Sequence, residues 1–239
     1  MSTVEERQAD HSERERFRLS EGEINHFWWF SFMGSIMDPY IRRCLRRAWG
    51  FCERHAWGFL VTEGSFRDNY FHGPAILYED LIAIAHKHFW GGLIAEINLR
   101  ARLKSRDTCL FCQSGLGPHS ISFAPEDRIL QGRNTWNFKI FAQETENYWS
   151  QWVCPKCLGR GDGGELCRMH FLGQLSKGEW KDIEKQRALI ECLHAELQLY
   201  SRSFRWEYHG TETTKNKASL IGAVGWCSGW RTLFDILEC

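Results

Sequence analysis

The sequence predicts a mainly α-helical protein, a helical bundle organised around two zinc knuckle-type sites, with little β structure. Three observations carry that expectation. Apolar residues recur at helical spacing in two long stretches, Leu77, Leu81, Ala85, Phe89, Leu93 and Ile97, then Ile190, Leu193, Leu197, Tyr200 and Phe204. Six cysteines and two histidines fall into four closely spaced pairs, Cys52/His55, Cys109/Cys112, Cys154/Cys157 and Cys167/His170. Strand-type alternation is confined to a short run from Thr135 to Phe141, carried by Trp136, Phe138 and Ile140.

The elements are expected in the following order. Residues 1–23 are rich in Glu, Arg and Ser and read as a disordered charged tail. The fold is expected to begin at Ile24 as a single domain of two pseudo-repeated halves, about 24–108 and 109–239. The run Phe27 to Met33 is apolar on all sides and should be buried. Asp38-Pro39 then opens a helix, an Asp cap followed by Pro in the first turn, which Gly50 ends. The stripe from Leu77 forms the next helix, which Gly91-Gly92 should weaken or kink. Gly115 to Gln131 reads as loop, and Glu144 to Trp152 as a helix leading into Cys154. A long helix follows His170, a polar turn spans His209 to Lys217, and a final helix covers Ala218 to Leu237. In that last helix Gly222, Gly225 and Gly229 permit close helix contact.

Composition narrows the function classes. The 239 residues carry 30 Lys+Arg and 30 Asp+Glu, and that balance argues against a surface that grips nucleic acid or an anionic membrane over its whole area. The 12 Trp, 16 Phe and 6 Tyr are expected to build the core. No apolar run spans a membrane, and the charged start resembles no secretory signal, so a cytoplasmic location is expected. In that reducing compartment ten cysteines read as metal ligands plus buried thiols, leaving Cys44, Cys192, Cys227 and Cys239 outside the paired motifs.

The four pairs supply enough ligands for two closed tetrahedral zinc sites. A two-residue gap lets one tight turn aim both side chains at one ion. The local solution joins Cys154, Cys157, Cys167 and His170 and leaves Cys52, His55, Cys109 and Cys112 for a long-range site. A crossed solution would pair Cys109/Cys112 with Cys167/His170 and Cys52/His55 with Cys154/Cys157. The local one has the cheaper loop closure. His86 and His88 lie two apart on one helix, a poor ligand pair.

Three segments together are similar to a bacterial family designated domain of unknown function 6062. They are Asp38-Pro39 with Arg42 and Gly50-Phe51-Cys52-x2-His55; Glu165-Leu166-Cys167-x2-His170-Phe171; and the tail around Leu193, Glu196-Leu197, Trp206 to Glu212 and Gly222. The resemblance implies a mostly helical protein over roughly residues 24–230. Each half would combine a Cys-x2-Cys with a Gly-Phe/Leu-Cys-x2-His. The chain departs from that pattern near His26, where no cysteine stands, and in the added Cys154-Pro155-Lys156-Cys157. The departure keeps the crossed pairing open and makes His26 a candidate substitute ligand.

Three kinds of function fit these features. A zinc-stabilised binding or regulatory module would engage a protein partner, or a nucleic acid through Arg42, Arg43, Arg46 and Arg47, although a solvated helix face is the commoner role of such residues. A metalloenzyme would need an open site, for example Cys52, Cys109 and Cys112 without His55 and with Glu53 as base, or an iron–sulfur cluster on Cys109, Cys112, Cys154 and Cys157. A thiol redox or metal-responsive protein would use the Cys154/Cys157 dithiol.

Overall fold

A computed structural model describes residues 17–90, 93–161 and 164–238, with the side chains of 93–97 excepted. Residues 1–16, most of the expected tail, lie outside that range. The rest of it belongs to the fold. Ser20 caps helix α1 (Glu21–Phe32) in a reciprocal box, Glu23 N donating to Ser20 Oγ at 3.2 Å and Ser20 N to Glu23 Oε2 at 2.8 Å. Leu19 and Glu23 are buried, and Gly22 N donates to Ser120 O.

Only one face of α1 is covered. Phe27 and Phe30 are buried, but Trp29, Phe32 and Met33 are exposed, because the apolar run is longer than the face that meets the core. Asp38 accepts from Tyr40 N and Ile41 N and starts α2 (Pro39–Ala48) as expected. Its end is a left-handed turn: Trp49 has φ 59, Gly50 has φ 90, and Gly50 N donates to Leu45 O. A Cβ on Gly50 would lie 3.1 Å from Leu81 Cδ1, a second reason for glycine. That turn delivers the chain to Cys52, the N-cap of α3 (Glu53–Phe66).

The stripe from Leu77 occupies two helices, α4 (His72–Phe89) and α5 (Leu93–Leu103), and Gly91-Gly92, where a weakening or kink was expected, lie outside the described residues. Next come the single turn α6 (Leu110–Gln113) and α7 (Glu126–Gly132), a short helix inside the stretch expected to be loop. The expected strand is the start of a helix, α8 (Trp136–Trp149). Its buried residues Phe138, Phe141, Ala142, Thr145 and Trp149 follow helical spacing, while Trp136 is exposed, so the apparent alternation was coincidental. No strand forms among the described residues.

Helix α9 (Arg168–Ser176) precedes the long α10 (Ile183–Ser203), which buries Ile190, Leu193, Leu197 and Tyr200. The last expected helix is two, α11 (Thr214–Ser228) and α12 (Arg231–Glu238). They part at Gly229, whose φ is 115 and whose Cβ would meet Glu53 Oε2 at 2.7 Å. Helix α10 packs on α4 and α11, α11 on α8, and α3 on α1 and α8. Aromatic residues supply the largest side chains of this core, while others, among them Trp90, Phe123 and Trp206, are exposed, so composition overstated their part in it. Trp57, Trp149, Trp226 and Trp230 are fully buried, and Trp57 Nε1 and Trp226 Nε1 find partners in Gly229 O and Gln186 Oε1, both at 2.9 Å. No described helix is long and apolar enough to cross a membrane.

Candidate metal centres

The fold gathers the eight paired residues into two clusters, Cys52/His55/Cys109/Cys112 and Cys154/Cys157/Cys167/His170. The crossed combination does not form. Both clusters are built the same way. The first cysteine of every pair is the N-cap of a helical turn: Cys52 before α3, Cys109 before α6, Cys154 before the 3-10 turn Pro155–Leu158, and Cys167 before α9, with extended backbone at Cys52, Cys154 and Cys167. The second member of each pair lies one turn on and returns to the same side. Both Cys-x2-Cys turns close on a left-handed glycine, Gly115 (φ 73) and Gly159 (φ 68). In each the following amide reaches back five residues, Leu116 N to Phe111 O and Arg160 N to Pro155 O. Four helical N-termini therefore aim their partial positive charge at the sulfurs, which favours thiolates.

The four donor atoms of each cluster all lie within 4.8 Å of one another. In the first centre Cys52 Sγ, Cys109 Sγ and Cys112 Sγ lie 3.2, 3.5 and 3.4 Å from His55 Nδ1, and Cys52 Sγ lies 3.7 Å from Cys112 Sγ. In the second, Cys154 Sγ, Cys157 Sγ and Cys167 Sγ lie 3.3, 3.5 and 3.2 Å from His170 Nδ1, with 3.6 Å between Cys157 and Cys167. A tetrahedral ion with metal–sulfur bonds near 2.3 Å and metal–nitrogen bonds near 2.0 Å requires edges of about 3.8 and 3.5 Å. A disulfide would require about 2.05 Å. The spacing suits a shared ion.

Electrostatics points the same way. Hydrogen bonds from Cys52 and His55 hold Cys109 down at about 3 against its burial, while Cys52 and Cys112 are pushed up. Cys157 and Cys167 likewise hold Cys154 far down, and Cys157 is pushed up to about 12 by its neighbour. Each cluster thus holds one thiolate readily and resists a second unless a cation enters. In the first, the proton on His55 partly plays that role: burial lowers its pKa, but Cys109 and Glu23 raise it to about 9. A divalent ion would replace that proton and release the other two.

Further residues orient the ligands. Glu23 is completely buried, and its Oε1 lies 3.2 Å from His55 Nε2 at an angle off the ideal hydrogen-bond line, with no better partner for that nitrogen. The same carboxylate accepts from Arg54 Nε at 2.6 Å and Nη2 at 2.8 Å. A carboxylate behind a ligating imidazole fixes its ring and raises its donor strength. At the second centre Arg231 Nε donates to Cys157 O at 2.7 Å. Arg168, beside Cys167, is buried and donates to Cys227 O and Leu103 O. Burial lowers its pKa, and the Cys227 and Cys167 sulfurs only partly offset that.

Several expected candidates lie elsewhere. His26 packs edge-on against Phe111 at 4.5 Å, and His86 stacks on Trp90 and His194. Glu53 accepts from Thr232 N at 3.0 Å, so its carboxylate is engaged in capping α12 rather than held as a base. The four-cysteine cluster set is divided between the two centres, and His55 faces all three sulfurs of the site that would have been open. Glu23, Arg54, Arg168 and Arg231 escaped sequence reasoning. Only Glu23 left a signal, the Ser20-x2-Glu23 capping box.

Comparison with family models, curated proteins and solved structures gives no match to this chain.

Proposed function

We propose that the protein is a cytoplasmic zinc-binding helical scaffold that acts by binding a partner. Its two centres serve structure. The observation that supports this most directly is that each cluster gathers three sulfurs and one imidazole nitrogen within 4.8 Å of one another, a full donor set for a tetrahedral ion that would leave no corner for water or substrate. Thiolates with imidazole favour zinc over hard, oxygen-preferring cations. Such an ion would leave each centre with a net charge of about −1.

In this reading the first ion ties α3 to the α6 turn, and through Glu23 to α1. The second ties the 154–158 turn to α9, which packs on α11. Metal analysis of the protein purified without added metal, paired with circular dichroism during chelation, tests the proposal. About two zinc per chain and loss of helix on chelation are expected. One ion or fewer, or helicity that persists after complete removal, would contradict it.

A further inference from the structure

A cleft of about 620 Å³ opens between α2 and the chain that leaves α5. Arg43, Arg46 and Arg47 line one wall, and Arg102, Lys104 and Arg106 line the other. No carboxylate is among the lining residues. Asp80 and Asp107 stand behind, where each takes a two-pronged hydrogen bond from Arg46 and Arg47 respectively. These bonds fix two guanidinium groups. Among the described residues no carboxylate pairs with Arg43, Arg102, Lys104 or Arg106.

The walls are tied together. Arg106 N donates to Arg47 O at 2.7 Å, and Ser105 Oγ to Ala48 O at 3.3 Å. The field in the cleft is felt by His88, another lining residue: burial lowers its pKa, and Arg102 and Arg106 lower it further. In a chain with no net charge, this concentration of cations is local rather than compositional. Tyr40, 61% exposed, stands at the cleft with Arg43 over its ring.

We infer that this cleft binds the sugar–phosphate backbone of a single-stranded nucleic acid, with Tyr40 as a stacking surface for a base. Cations on both walls suit one strand passing between them, and an aromatic ring beside a basic groove suits unpaired bases. The inference deepens the scaffold reading and rests on it.

The test is a fluorescence anisotropy titration of the zinc-loaded full chain with a labelled oligouridylate of about 12 nucleotides. Four uncompensated cations give an expected slope of log affinity against log salt of about −3, or about a 50-fold loss between 50 and 200 mM salt. Lys104→Ala with Arg106→Ala should weaken binding at least tenfold and bring the slope to about −1.4. Both side chains are exposed, and Arg43→Ala on the opposite wall provides a second reading. Lys177→Ala with Lys181→Ala, elsewhere on the surface, should change nothing.

Absent binding, binding indifferent to the cleft variants, equal affinity for a duplex of the same length, or full displacement by inorganic tripolyphosphate at matched charge would each overturn the inference. None of these would touch the two closed centres, which stand or fall on metal content.

Discussion

Replacing Glu23 with Gln asks whether the first centre extends beyond its four ligands. The substitution keeps the shape of the side chain and removes the charge that meets Arg54 at 2.6 and 2.8 Å and His55 at 3.2 Å. Deleting one partner of a buried ion pair costs about 3–5 kcal/mol. Arg54 keeps 27% of its side chain exposed and can rehydrate, so a loss of about 2–3 kcal/mol in folding stability is expected. Separately, a carboxylate behind a ligating histidine is worth about 10–100-fold in metal affinity, or about 1.4–2.7 kcal/mol. Denaturant unfolding of the metal-loaded protein measures the first quantity. Metal release to a chromophoric chelator measures the second, and only the phase belonging to the first centre should move. Lower stability with both release phases unchanged would refute the orienting role and leave Glu23 as a helix cap and ion-pair partner.

Two further predictions concern the scaffold. The nearest members of the two pairs are 54 positions apart in the first centre, His55 and Cys109, and 10 apart in the second, Cys157 and Cys167. A cross-link over the longer loop costs the unfolded chain about 1.5 kcal/mol more in lost entropy, so Cys52→Ser should destabilise by about that much more than Cys167→Ser in matched chemical melts. An equal or reversed order would show that local packing outweighs loop closure. Away from both centres, burial pushes Glu63 from 4.5 to about 7, with Arg67 and Ser31 only partly offsetting it. A raised folded-state pKa means that its contribution is intact below about pH 4.5 and lost as pH rises through 7. Glu63→Gln should therefore gain up to about 3 kcal/mol at pH 8 and almost nothing at pH 4.5. A difference between variant and parent that does not vary with pH would contradict this.

Much of the fold was legible because its signals are local. The spacing of Ile190, Leu193, Leu197 and Tyr200 marked α10, and Asp38-Pro39 marked the start of α2, since periodicity and caps act within a few residues. Helix ends were harder. Gly229 breaks the last helix because its left-handed backbone and the approach of Glu53 are both tertiary facts. The alternation of Trp136, Phe138 and Ile140 misled because three residues fit two periods, and burial on the α3 side decided for helix. Exposed Trp29 and Phe32 show that an apolar run reports composition and not coverage.

At the centres the ligand types and the local pairing could be read from spacing, since a two-residue gap is a property of one helical turn. The residues behind the ligands could not. Arg168 has no sequence feature that marks its burial beside Cys167, and the basic cleft brings together Arg43 and Lys104, which stand far apart in the chain.

X-ray absorption at the zinc edge of protein purified without added metal tests the central claim most directly. The account predicts an average first shell of three sulfurs near 2.3 Å and one nitrogen near 2.0 Å per ion, with two ions per chain. A shell containing a light-atom ligand beyond the single imidazole, or a metal edge other than zinc, would mean an open or differently filled centre and would contradict it.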